Sequence, residues 1–259
     1  MRAQTCTATI IMPSIPVDVL LVILEHVSKA ELVTLCQVNK ICCSCSWDAL
    51  YRNVTVDDPR VTQTLARLTD LAKRVRSFES NFSHPPEELP MALKNMTSLR
   101  HLDLLHIYDA TILDRCTFQL DSFGCPIYYS ELLRKFLDSQ TSISYVNFRS
   151  GYHDSIPFEQ TLPNLTRVQA HPEWFPFLIR GRPVRSIVMY EPDYTYDADD
   201  FDLSFLALST VPLLKLSIPF YSLYPNPASP LISISTFLMH LVLLYDMREL
   251  TVVRKISFY

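Results

Sequence analysis

Four of the chain's seven cysteines, Cys36, Cys42, Cys43 and Cys45, crowd into one short stretch, and thiols that close could hold a metal or act as nucleophiles. Zinc needs paired Cys-x-x-Cys or Cys/His spacing, whereas Cys42-Cys43-Cys45 fan around a helix in different directions. They read as small core thiols, and no metal site is assigned. His101 and His106 flank a strand-like run with no Asp/Ser or ligand constellation beside them, so neither is given a catalytic role. The run Glu191 to Asp202 carries six acids and could hold a basic partner, but a solvated loop is the better account of it.

Glycine usage narrows the chemistry further. Only Gly124, Gly151 and Gly181 occur in 259 residues. Phosphate-cradling loops, dinucleotide-binding turns and nucleophile elbows need glycine at fixed offsets, and none of GxGxxG, GxxxxGK[ST] or GxSxG is present. The expectation is a protein that is not an enzyme and takes no cofactor. A net charge of -4, without Lys/Arg clusters interleaved with aromatics, argues against a nucleic-acid partner. With 48% hydrophobic residues the chain can build a sizeable core in one large or two small domains.

The elements around the cysteines are the clearest in the chain. Val17, Leu20, Leu21, Leu24 and Val27 recur at the three-and-four spacing of a helix, with Pro16 and Asp18 suited to its first turn. Ser28-Lys29-Ala30-Glu31 is a capping box opening a second helix, whose apolar face is Leu32, Leu35, Cys36 and Val38. A third runs from about Lys40 to Tyr51.

In order and composition this stretch resembles an F-box. Ile15-Pro16 stands at the family's Leu-Pro, Asp18 at its acidic position, and Ile23-Leu24 at the Ile-Leu of helix one. Leu32 and Leu35 match the helix-two leucines, Val38-Asn39-Lys40 the Val-Ser-Lys-like turn, and Leu50-Tyr51-Arg52 the closing Leu-Trp-Arg. Cys42 departs from a usual large aromatic, and Tyr51 from the common Trp. The resemblance implies docking to a Skp-type adaptor, through Pro16, Leu20, Ile23, Leu24, Leu32, Leu35 and Val38.

Beyond residue 60 helical and strand patterns alternate. Expected helices are Val61–Lys73, Pro86–Met96, Ser130–Ser139, Trp174–Ile179, Phe201–Ser209 and Ser235–Leu244. Expected strands are Val75–Phe78, Leu99–Leu104, Thr117–Leu120, Ile143–Phe148, Leu165–Val168, Val184–Val188 and Leu213–Ile218. Several share the form apolar-x-x-apolar-x-apolar, which resembles the strand signature of degenerate leucine-rich repeats; a generic parallel α/β domain is the simpler alternative. The pairing with an F-box resembles fungal, basidiomycete-type F-box proteins, on phrases such as Cys116–Leu120, Phe136–Gln140 and Gly181–Val184.

The fold expected is therefore α/β: a flexible N-terminus over 1–14, a three-helix F-box over 15–56, and an irregular leucine-rich-repeat solenoid with a parallel sheet over 57–259. Period-two alternation places Ser77, Glu79, His101, Asp103, Tyr145, Asn147, Arg167, Gln169 and Ser186 on one outward stripe. Of these, His101, Asp103, Tyr145, Asn147, Arg167 and Gln169 are the candidate substrate-facing residues. The resemblance implies a substrate-recognition subunit of a Skp–cullin–F-box ubiquitin ligase, binding the adaptor, through it a cullin–RING ligase, and an unidentified protein target. The alternative is an interaction scaffold whose F-box-like cap engages no ligase. The N-terminal apolar run is broken by Pro13, Pro16, Asp18 and Glu25, and the stretch Ile232 to Tyr245 is short and contains His240, so neither a signal peptide nor a membrane partner is expected. Reduced thiols then imply cytoplasm or nucleus, and the sequons at Asn53, Asn81, Asn95 and Asn164 read as chance. The β-branched, apolar end, Leu250 to Tyr259, is expected to leave the array incompletely covered.

Overall fold

A computed structural model describes residues 15–82, 84–126, 130–149, 161–190, 204–219, 241–247 and 250–256. The N-terminal stretch 1–14, the acidic run Glu191 to Asp202 and the segment 220–240 lie outside the described residues. Two compact units divide at Asn53/Val54. Among the described residues no helix is long and apolar enough to cross a membrane.

The first unit holds helices α1 (Val17–Leu24), α2 (Lys29–Leu35) and α3 (Lys40–Arg52). Each start has a local cause. Pro16 precedes α1, where its fixed φ of -56° leads into the helix. At α2 the Glu31 backbone N–H donates to Ser28 Oγ, and the Ser28 N–H donates to Glu31 Oε2 at 3.0 Å, the reciprocal bonds of a capping box. At α3 the Cys42 N–H donates to Asn39 Oδ1 at 2.8 Å. The core is small: Leu24, Leu32 and Cys45, with Leu20, Val27, Leu35, Ala49 and Leu50 packed against it. Of the four crowded cysteines only Cys45 is buried; Cys42 and Cys43 on α3, and Cys36 at the C-terminal end of α2, are half-exposed beside so narrow a core.

The second unit is mixed α/β, with its strands hydrogen-bonded side by side in chain order, β1 to β10. They are β1 (Asn53–Val56), β2 (Ser77–Ser80), β3 (His101–Leu104), β4 (Ser122–Cys125), β5 (Tyr145–Phe148), β6 (Arg167–Ala170), β7 (Ser186–Met189), β8 (Lys215–Pro219), β9 (Leu241–Met247) and β10 (Leu250–Ile256). From β2 to β9 every pairing is parallel. β10 then returns antiparallel on β9.

Parallel neighbours need crossovers, and these form a helical layer. It comprises α4 (Pro59–Arg67), α5 (Thr69–Ala72), α6 (Leu89–Asn95), α7 (Glu131–Asp138) and α8 (Phe175–Ile179), with 3-10 turns at Ala110–Leu113, Pro172–Trp174 and Ser204–Leu208. Strand side chains alternate: Phe78, Leu102, Phe123, Val146, Val168 and Ile187 are buried on one side. Phe123 meets both Phe136 of α7, at 5.5 Å between ring centroids, and Phe148 of β5, at 6.1 Å. Trp174, fully buried, closes on Phe148 at 4.6 Å. Two of the sequon asparagines serve this scaffold: Asn95 Nδ2 donates to the carbonyls of Leu65 and Ala66, and Asn164 Nδ2 to that of Thr141.

Four local expectations are corrected. The helix expected over Val61–Lys73 breaks at Leu68, whose φ of -105° and ψ of 82° are not helical. The strand expected at Thr117–Leu120 lies instead at Ser122–Cys125. Phe118 and Leu120 do alternate with exposed neighbours, but a side chain satisfies their backbone: the Leu120 N–H donates to Gln140 Oε1 at 2.9 Å, and Gln140 Nε2 donates to the Phe118 carbonyl at 3.1 Å. The helix expected over Ser235–Leu244 is strand from Leu241, where pairing to β8 and β10 overrides an ambiguous apolar run. The final stretch is accordingly paired along one edge rather than bare, and it makes the sheet's last step antiparallel.

Candidate functional site

The strand face opposite the helical layer carries rows of polar side chains, set by parallel register. One row runs Ser77, His101, Ser122 and Tyr145, then Arg167, Ser186 and Lys215. The next runs Glu79, Asp103, Gly124 and Asn147, then Gln169, Val188 and Ser217. All six candidate substrate-facing residues thus occupy two adjacent rows on one face: His101, Tyr145 and Arg167 in the first, Asp103, Asn147 and Gln169 in the second. His101 and Arg167 are exposed, Asp103, Tyr145 and Gln169 half-buried, and Asn147 buried.

Sequence reading missed a third row. Arg149, His171 and Tyr190 each stand one residue past the end of β5, β6 or β7, at the next outward place of the same period-two pattern. Extending the alternation past each apolar strand would have found them.

These rows are knitted together. Arg149 donates to both carboxylate oxygens of Asp103, Nη1 to Oδ1 at 2.6 Å and Nη2 to Oδ2 at 2.8 Å, reaching across β4. Gly124 makes that reach possible: a Cβ there would stand 2.7 Å from Asp103 Oδ1. The Tyr190 hydroxyl donates to Asn147 Oδ1, and the Tyr145 hydroxyl donates to Gln169 Oε1 at 2.9 Å. His171 lies 5.5 Å from the Tyr190 ring, with Nε2 bonded to the Arg149 carbonyl at 3.1 Å. Arg167 stacks its guanidinium 4.7 Å from the centre of the Tyr145 ring. His101 Nδ1 shares a hydrogen bond with Ser122 Oγ at 2.9 Å.

The electrostatics follow from these contacts. The Asp103 hydrogen bonds hold the Arg149 guanidinium above its usual range, and burial raises the phenols of Tyr145 and Tyr190, keeping both hydroxyls as donors at neutral pH. The carboxylate closest in the rows to the His101–Ser122 pair is the one engaged by Arg149. The face therefore offers fixed donors, acceptors and aromatic surfaces, suited to recognition.

A small cavity of about 160 Å³ lies in the helical layer, lined by residues including Leu113, Cys116, Lys135 and Phe136. Burial pushes the Cys116 thiol up to about 12.

The helical unit presents the other candidate surface. Of the fifteen large apolar side chains exposed among the described residues, ten lie between Ile15 and Trp47. Helix α1 is apolar on nearly every side, with Asp18 its one charged residue, so it cannot bury all of its surface in its own unit. Among the residues expected to dock an adaptor, Pro16 is exposed, as are Ile23 at 48% and Val38 at 62%. Leu20 and Leu35 are half-buried against the core, while Leu24 and Leu32 are the core itself, at 2% and 4%. The latter four hold the three helices together; Val19, Val22, Val33 and Ile41 join the exposed set instead. The sequence matches no protein-family model and no curated protein.

Proposed function

We propose that this chain is a substrate receptor of a Skp–cullin–F-box ubiquitin ligase. In this reading residues 15–56 are an F-box that docks a Skp-type adaptor, and residues 57–259 are degenerate leucine-rich repeats whose polar strand face holds a target protein in the cytoplasm or nucleus. The observation that carries it is the concentration of exposed apolar side chains on a three-helix unit. A patch of that kind on so small a unit marks a protein-binding surface. The ordered motif residues from Ile15-Pro16 to Leu50-Tyr51-Arg52 say which partner it suits.

The receptor does no covalent chemistry. It raises the effective concentration of a bound target near a ubiquitin-charged enzyme supplied by the rest of the assembly. The test is co-purification of the full chain with a Skp-type adaptor, comparing wild type with Ile23→Asp/Val38→Asp. Both side chains are exposed, so the variant should keep its circular dichroism spectrum, and losing two buried apolar contacts should weaken binding by about 100- to 1,000-fold. Leu68→Asp, exposed in the sheet unit, is the control and should bind normally. Undiminished binding by the double variant, or none by the wild type, overturns the reading.

A further inference from the structure

The polar strand face is electrically lopsided. Its outward rows on β2 and β3 contain Glu79 and Asp103, whereas those on β5 to β8, extended to Arg149, His171 and Tyr190, contain no carboxylate. Arg149 is neutralised by Asp103, but Arg167 and Lys215 are exposed and have no acidic partner among the described residues.

Position makes this more than a charge count. Arg167, Ser186 and Lys215 stand in register on three neighbouring strands, so a small hydroxyl separates two cations whose backbones are about 10 Å apart. Tyr145, itself held by Gln169, fixes the guanidinium plane from the far side. A stacked guanidinium keeps its N–H edge free to pair with a planar or tetrahedral anion. Successive same-side groups of an extended peptide are about 7 Å apart, and the long Lys and Arg side chains close the remainder.

We propose that this β6–β8 margin binds the anionic groups, carboxylate or phosphate, of an extended segment of the target polypeptide, with Arg167 and Lys215 as the anion contacts and Tyr145 as the positioning residue for Arg167. This rests on the reading that the polar face holds the target. It adds the chemistry that selects the target: acidic or phosphorylated segments are taken, basic ones refused.

The test is fluorescence anisotropy of labelled Gly/Ser decapeptides titrated with the full chain: one carrying phosphoserines at alternate positions, one with glutamates there, and the unmodified parent. Both anionic peptides should bind at least about ten-fold more tightly than the parent, their ratio showing which anion is preferred. Arg167→Ala and Lys215→Gln should each weaken binding by about ten-fold or more, while Arg60→Ala, an exposed arginine paired with Asp58, should not. Arg167→Lys should recover only part of the affinity, because it restores charge without the fork. Tyr145→Leu should weaken it more than Tyr145→Phe, which keeps the ring.

Three results overturn the proposal: anionic peptides binding no better than the parent, insensitivity to both cation variants, or tighter binding of a single-stranded oligonucleotide at the same residues. Peptide binding seen only after the acids of the run 191–202 are changed to amides would also overturn it, since the chain's own segment would be the occupant. Adaptor co-purification with the same proteins separates the two readings. Retained adaptor with no anion selectivity sinks this inference alone; lost adaptor with retained selectivity sinks the ligase reading alone.

Discussion

Replacing Gly124 by alanine tests whether the Asp103–Arg149 fork stabilises the sheet. An alanine Cβ would stand 2.7 Å from Asp103 Oδ1 and 2.9 Å from Cγ, so the carboxylate must move. A free aspartate would swing aside at little cost, but this one is held by two guanidinium bonds. Their side chains are 36% and 23% exposed, which puts the pair between the surface limit of about 0–1 kcal/mol and the 3–5 kcal/mol lost on breaking a buried pair. Gly124→Ala should therefore destabilise by about 1–2 kcal/mol. In an Asp103→Ala background the obstacle is gone, and alanine's lower unfolded-state entropy should make the same change neutral or stabilising by about 0.5–1 kcal/mol. The coupling in the double-mutant cycle is then about 2 kcal/mol. Urea unfolding in a Trp47→Phe background reads it out, because Trp174, fully buried in the sheet unit, becomes the sole indole. Equal costs for Gly124→Ala with and without Asp103 would refute the reasoning, as would no cost in the wild type.

Gln140→Ala should cost about 2–4 kcal/mol in the same assay, because it strands the buried Leu120 N–H and Phe118 carbonyl; Gln140→Glu should be damaging too, since it replaces the amide donor. The Cys116 thiol, raised to about 12 from an unfolded value of 9.0, makes the folded state bind more protons across that interval. Stability should be intact below pH 9 and fall between pH 9 and 12 by up to about 1.4 kcal/mol per pH unit, with Cys116→Ala removing that part of the slope. In native protein near pH 8.5 Cys116 should resist iodoacetamide and react only in urea, as peptide mapping would show.

Most of the helices and most of the strands were legible in the sequence, because a period of 3.6 or 2 in apolar residues is a local property of the chain. Ser28 with Glu31 marked a helix start for the same reason. Period-two alternation also sorted His101, Asp103, Tyr145, Asn147, Arg167 and Gln169 onto one side of their strands. Periodicity could not say which strand pairs with which, and so could not find the fork between Asp103 and Arg149, which are 46 residues apart. Nor could it show that Gly124 is small because that fork crosses it. Thr117–Leu120 alternates as well as any true strand; a distant glutamine decides that it is not one. On α1 and α2 the limit is different in kind. Leu24 and Ile23 are neighbours of equal apolarity on a helix that is apolar nearly all round, so composition does not distinguish core from surface. Only the packing of α1 and α2 against α3 decides that Leu24 and Leu32 close the core while Ile23 and Val38 face outward.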